Sequence, residues 1–167
     1  GDVAAKVEHD WMEHVGELRV AQMLHPVMFD FGSDCRQGGE HHGFNDKGLM
    51  AADHRTKKDA YWFYRANWTD DPVLHIVGAT SDTASSPTPD ILVFCNTGRV
   101  TLSINGREVG SLDPDEVKSC RWDGVALDEG DNAITVRSGG RERTVMWWNP
   151  KTERPRFTVE SQTSGAV

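Results

Sequence analysis

The sequence is short of the features that announce several protein classes. It has three cysteines, Cys35, Cys95 and Cys120, an odd number at wide spacing, which excludes a disulfide framework and a Cys-x-x-Cys zinc module. No apolar run reaches the roughly 20 residues needed to cross a bilayer, so no membrane partner is expected. Basic residues are in deficit, 18 Lys and Arg against 26 Asp and Glu, for a formal net charge of −8. A nucleic-acid binder needs a basic stripe to neutralise phosphates, and nucleic acid is therefore excluded as a partner. No charged and apolar leader opens the chain at Gly1, and the sequence assigns no compartment. Cys35, Glu40, His41, His42 and His54 gather in one stretch but lack the recurrent short spacings of a metal site. Neither a metal nor an organic cofactor is assigned.

What is present is organised around Val27 to Trp68. Before it, Val3, Val7, Trp11, Val15 and Leu18 fall on one helical face, which predicts a helix over Val3–Val20. Val27-Met28-Phe29 reads as a short buried strand running on to Phe31. The chain then passes through Asp30, Asp34 and Arg36 into a Gly-rich polar loop and re-emerges at Asn45-Asp46-Lys47-Gly48-Leu49. A second helix is predicted over Thr56–Asn67, with Ala60, Phe63, Tyr64 and Asn67 at helical intervals and Asp53 or Thr56 as its cap. Strand, polar loop, helix is the order of a βα unit, in which functional groups lie on the loop after the strand.

Asp70-Asp71-Pro72 interrupts this pattern, and the period changes to two. Strands are predicted at Val73–Val77, Ile91–Cys95, Arg99–Ile104, Glu108–Ser111, Ser119–Trp122, Ala133–Arg137 and Arg143–Trp148. Asn105-Gly106 and Gly139-Gly140 are two-residue hairpin signals. Seven short alternating strands separated by turns point to an immunoglobulin-like β-sandwich. Thr80 to Pro89 is a Ser/Thr/Pro-rich loop, and Lys151 to Val167 has no periodicity and reads as a tail. The expected division is therefore 1–71, 72–149 and 150–167. The six tryptophans suit packed surfaces and also the flat faces of sugars.

The string FDFGSDCRQGG…GFNDKGLMAADHRTKKDAYWFYRANW resembles the end of the catalytic barrel in glycoside hydrolase family 2, the β-galactosidase and β-glucuronidase family. Members of that family read close to FDFxSDxRxEG…GxNDKGLVxxDRxxKKDAxxFYKAxW at this place. The later stretch DILVFCNTGRVTLSINGREVGSL…LDEGDNAITVRS is similar to the sandwich that follows the barrel. The resemblance implies an α/β part, the last helix–strand–helix of a TIM (β/α)8 barrel, followed by an all-β immunoglobulin-like sandwich. It also implies hydrolysis of terminal β-glycosides with retention, on a carbohydrate of the β-galactoside or β-glucuronide class. Retaining glycosidases use two carboxylates roughly 5–5.5 Å apart. In the family both lie on earlier barrel strands, so no catalytic residue is assigned here, and Glu8, Glu13 and Glu17 sit on a helical pattern instead.

Five residues are candidates for the sugar site: Asn45, Lys47, Asp30, Asp34 and Arg36. An Asn amide and a Lys ammonium two residues apart can converge on hydroxyls or a carboxylate, and by resemblance this pair meets the sugar carboxylate in β-glucuronidases. Carboxylates at a strand's end can hold hydroxyls or orient an arginine. From spacing alone, a loop held together by Asn45, Asp34 and Arg36 stays open. By the resemblance Asp53 and Arg55 match the family's Asp-Arg pair at the entrance to the last helix, and they read as structural. Pro26 stands where the family usually has Trp, which floors its sugar subsite. One strand and two helices cannot close an eight-stranded barrel, so the first part requires the rest of a barrel, its own sandwich or self-association. A non-catalytic sandwich module binding glycan or a protein, and a degenerate pseudo-enzyme segment, remain the alternatives.

Overall fold

The computed structural model describes residues 27–33 and 42–149. The predicted helix at Val3–Val20, the candidates Asp34 and Arg36, and the tail after Lys151 lie outside the described residues.

The strand expected over Val27–Phe31 is paired only from its last residue onward. Phe29 makes only an isolated parallel bridge to Met50, and the paired strand is β1, Phe31–Gly32, antiparallel to β2, Phe44–Asn45. The physical reason is the close approach of Gly48 to the backbone of Phe29 and Asp30. The segment is held there by hydrogen bonds from the Leu49 N–H to the Val27 carbonyl (3.2 Å), from the Met50 N–H to the Met28 carbonyl (2.8 Å) and from the Asp30 N–H to the Met50 carbonyl (3.0 Å). The helix α1 covers Asp59–Trp68 and starts later than expected. Asp53 is not its cap. It accepts from the amides of Arg55 and Thr56 (both 2.8 Å) and from the Thr56 hydroxyl (2.6 Å), closing a turn that ends before the helix begins.

After α1 come β3 (Leu74–Ile76), β4 (Ile91–Cys95), β5 (Val100–Ile104), β6 (Arg107–Leu112), β7 (Ser119–Trp122), β8 (Gly130–Ser138) and β9 (Arg141–Asn149). They form a three-stranded sheet in the order β3-β4-β7 and a four-stranded sheet in the order β6-β5-β8-β9, antiparallel throughout. This is an immunoglobulin-like sandwich in which the fourth strand stays with the third. The Asn105-Gly106 turn explains that choice. Both residues have positive φ, 51° and 78°, the backbone of a tight hairpin whose twist matches its strands, and it folds β6 directly back on β5. β8 and β9 are longer than the alternation predicts, because polar residues extend their paired ends, Asn132, Ser138 and Asn149 buried and Asp131, Arg141 and Glu142 exposed.

Ile91, Val93 and Cys95 of β4 point into the sandwich with Val100, Leu102, Ile104, Ile134 and Val136, all buried. Leu92 and Phe94 point the other way, and α1 covers them. Phe63 meets Phe94 edge to face at 5.3 Å, with Tyr64, Ala66, Val73 and Val117 around them. β4 is thus covered on both faces, which is why it reads as the continuous apolar run ILVFC. His75, on the outer face of β3, bonds Asp59 of α1 at 2.6 Å and stacks on Trp62. Burial pushes the Asp59 carboxyl up, but the bonds from His75 and from the Gly78 N–H outweigh it and hold the group below its usual value. The helical segment therefore docks on its own sandwich. Cys95 and Cys120 are free and buried, and burial pushes the Cys120 thiol up to about 12, which leaves it unreactive.

Candidate functional site

The Asn45-Asp46-Lys47-Gly48 loop is built on Asp30. That residue is 7% exposed, and its Oδ1 accepts from the Gly48 N–H (2.8 Å) and from the Lys58 ammonium (2.7 Å). The same ammonium donates to the Asp46 carbonyl at 2.6 Å. One buried carboxylate and one lysine thus tie together the strand end, the loop and the start of α1. A Cβ on Gly48 would lie 2.4 Å from the backbone nitrogen of Asp30 and 2.4 Å from the backbone carbonyl carbon of Phe29, so only glycine permits this approach.

The candidates fall into two groups. Asp30 faces inward and braces the loop from below. Asn45 and Lys47 lie on the loop itself. The Asn45 side-chain oxygen accepts from the Lys47 amide (3.1 Å), which closes a local turn. Lys47 is exposed, and its ammonium has no ion-pair partner among the described residues. An exposed, unpaired ammonium on a loop fixed from beneath can grip a carboxylate or several hydroxyls without first breaking an internal contact. His54, with positive φ (56°), stacks on Phe29 at 4.0 Å and packs the far side of the turn. Among the described residues no group of His, Cys, Asp and Glu is arranged to hold a metal ion, and no helix is long and apolar enough to cross a membrane.

Two participants were missed from sequence. Lys58 occupies the N-cap of α1 with no capping bond from its side chain, a place where the helix dipole disfavours a cation. The sequence did not show this mismatch, because the helix was expected to start at Thr56 and only the structure puts Lys58 at the N-cap. Gly48 carried no sign, because its need depends on a segment 18 residues away.

The turn at Asp53 supplies a pH test. The Thr56 hydroxyl, the Thr56 amide and the Arg55 amide hold its carboxyl at about 2, below the ordinary 3.8. A depressed value means that the turn's contribution is complete above 3.8 and is lost as pH falls through about 2. The amide resonances of Arg55 and Thr56 should therefore titrate with a midpoint near 2. A midpoint at the ordinary carboxylate value would disprove the bonding described.

No family model matches the chain. A β-glucuronidase of Bacteroides fragilis is 33% identical over 116 residues, 69% of this chain and 17% of that protein. Among solved structures, an FMN-binding β-glucuronidase from Faecalibacterium prausnitzii L2-6 superposes with a TM-score of 0.69 at 35% identity, over 76% of this chain and 19% of that one. A putative β-galactosidase from Bacteroides fragilis gives 0.64 at 30% identity, over 73% of this chain and 19% of its own. The chain thus spans less than a fifth of the length of each of these relatives.

Proposed function

Because the chain belongs with glycoside hydrolase family 2, the β-galactosidase and β-glucuronidase family, we propose that it serves hydrolysis of a terminal β-glycoside with retention. It supplies part of the sugar-site wall and a supporting sandwich, while the two reacting carboxylates come from earlier barrel strands. In this reading residues 1–71 are the last helix–strand–helix of a barrel, 72–149 are the sandwich and 150–167 are a tail. The observation that carries the reading is the Asp30–Lys58–Gly48 brace beneath a loop that offers Lys47 outward. Lys47 and Asn45 take the sugar's acidic or hydroxyl groups, Asp30 is a positioning residue, and Asp34 and Arg36 belong to the same wall.

The exposed apolar surface supports a barrel neighbour. Met28 is 48% exposed, Phe31 46% and Trp68 52%. Met28 and Trp68 line, with Leu49, Tyr61 and Tyr64, a groove of about 340 Å3 along α1. Side chains of this size are costly to leave in water, at about 25 cal/mol per Å2.

A chimera tests the reading. Residues 27–149 replace the matching part of the Bacteroides fragilis β-glucuronidase. The chimera should hydrolyse an aryl β-glucuronide, and Lys47→Gln should raise KM for it by about tenfold, the scale of one charge-assisted bond, with less effect on an aryl β-galactoside. The chain on its own should turn over neither. An inactive but folded chimera, or a Lys47→Gln chimera with unchanged kinetics, would sink the assignment.

A further inference from the structure

The core-facing row of β9 is Trp147, Val145, Arg143 and Arg141, in register with Asn132, Ile134, Val136 and Ser138 of β8. On β8 that row is buried to its end. On β9 it is buried at Trp147, half-buried at Val145 and exposed at Arg143 and Arg141. The row therefore runs out of the core as two arginines, where alternation would place apolar residues. They stand beside β3 and α1, and with Trp62, Pro72, Leu74 and Glu142 they line a cleft of about 200 Å3.

Most of the surrounding charges are already paired, and the Lys57 ammonium lies over the Trp62 ring. Glu142 bonds Arg137 on the outer face at 2.5 Å, Arg65 bonds Asp71 at 3.2 Å, and Asp59 bonds His75 at 2.6 Å. Arg99, Arg107, Arg121 and Arg137 of the same sandwich each hold a carboxylate. Arg141 and Arg143 have none among the described residues. The Trp62 ring stacks on His75 within 15° of parallel, and the Lys57 ammonium and the Arg65 guanidinium lie over it at 5.3 and 5.7 Å, so its plane is fixed at the cleft wall.

We propose that this cleft is a binding site for a carboxylate-bearing saccharide, its acid held by Arg141 and Arg143 and its ring lying along the wall that Trp62, Pro72 and Leu74 form. Guanidinium forks bind carboxylates through paired hydrogen bonds, and two arginines whose backbone positions lie about 6.6 Å apart along one strand face can converge on one acidic group and a neighbouring hydroxyl. The cleft is smaller than the ~300–1,000 Å3 of sites for drug-sized ligands, so it takes a single terminal acidic sugar. That the acid rides on a sugar rests on the glycosidase reading. The anion grip rests on the two arginines alone.

The full chain, labelled for NMR, is titrated separately with sodium glucuronate, glucose, inorganic phosphate and an acidic peptide. Glucuronate should saturably move the Trp62 indole and the Arg141 and Arg143 Nε–H signals, and glucose should not. The double variant Arg141→Gln, Arg143→Gln should weaken glucuronate by tenfold or more, Arg143→Lys should do so several-fold because it keeps charge but loses the fork, and Arg121→Gln should have no effect. Phosphate or the acidic peptide binding as tightly as glucuronate overturns the saccharide assignment. No shift with glucuronate, or unchanged binding by a folded Arg143→Lys chain, overturns the site. An inactive chimera alongside intact glucuronate binding would reject the functional reading and leave this site standing.

Discussion

Asn132→Ala is expected to remove about 3–4 kcal/mol of unfolding free energy, a large share of the ~5–15 kcal/mol that stabilises a domain. Asn132 has no exposed surface, and each side-chain atom is used twice. Its oxygen accepts from the Asp128 amide (2.9 Å) and the Asn105 side chain (3.0 Å), and its nitrogen donates to the carbonyls of Asp128 (2.8 Å) and Gly130 (2.9 Å). These bonds tie the turn before β8 to the hairpin between β5 and β6, whose Asn105 oxygen in turn accepts from the Ala133 amide (2.8 Å). Alanine removes the partner of the part-buried Asp128 amide and of the Gly130 carbonyl, at about 1–3 kcal/mol for each stranded group. Asn149 still donates to the Asp128 carbonyl, which limits the loss there. Urea unfolding followed by tryptophan fluorescence measures the change. A loss under about 1 kcal/mol would mean that the network is incidental.

Gly48→Ala should have the largest effect on sugar handling, about a hundredfold loss of kcat/KM in the chimera, the scale of an ångström-sized misplacement. The new methyl would meet the Asp30 and Phe29 backbone at 2.4 Å and the Asp30 carboxylate at 2.7 Å. Neither backbone atom can move without breaking the bonds of Met50 and Asp30. The loop must lift, the Gly48 N–H leaves Asp30, and Lys47 changes position with it. The sandwich, which does not touch this contact, should unfold as before. Hydrogen exchange gives the direct reading, because the Leu49 and Met50 amides should lose protection while those of β5 and β8 keep theirs. Unaltered protection at Met50 in the Ala variant would refute the brace.

The two parts of the chain were not equally legible. The seven strands of the sandwich follow from alternation and from turn residues that act on their immediate neighbours. Their ends were misplaced where polar residues extend a hairpin, as at Gly130 and Asp131 or Arg141 and Glu142, since pairing there leaves no apolar mark. Around Val27 to Gly48 the apolar run suggested a strand that starts four residues before the paired one, at Val27 instead of Phe31. The run is real, but its pairing is set by the polar chemistry of Asp30 and by the close approach of Gly48.

Local signals alone determined that a helix with one apolar face precedes a β-sandwich, and that a polar loop rich in Asp, Asn and Lys lies before the helix. Periodicity and turn chemistry act over a few residues, so one strand of sequence suffices to express them. Only the tertiary structure decided what the charges do. Asp30 pairs with Lys58 across 28 residues, β4 is apolar on both sides because α1 lies over Phe94, and Arg141 and Arg143 face a cleft that α1 and β3 complete. Each of these depends on which distant segment arrives at a given face. That is settled by packing and charge compensation together, and neither is written in the spacing of neighbouring residues.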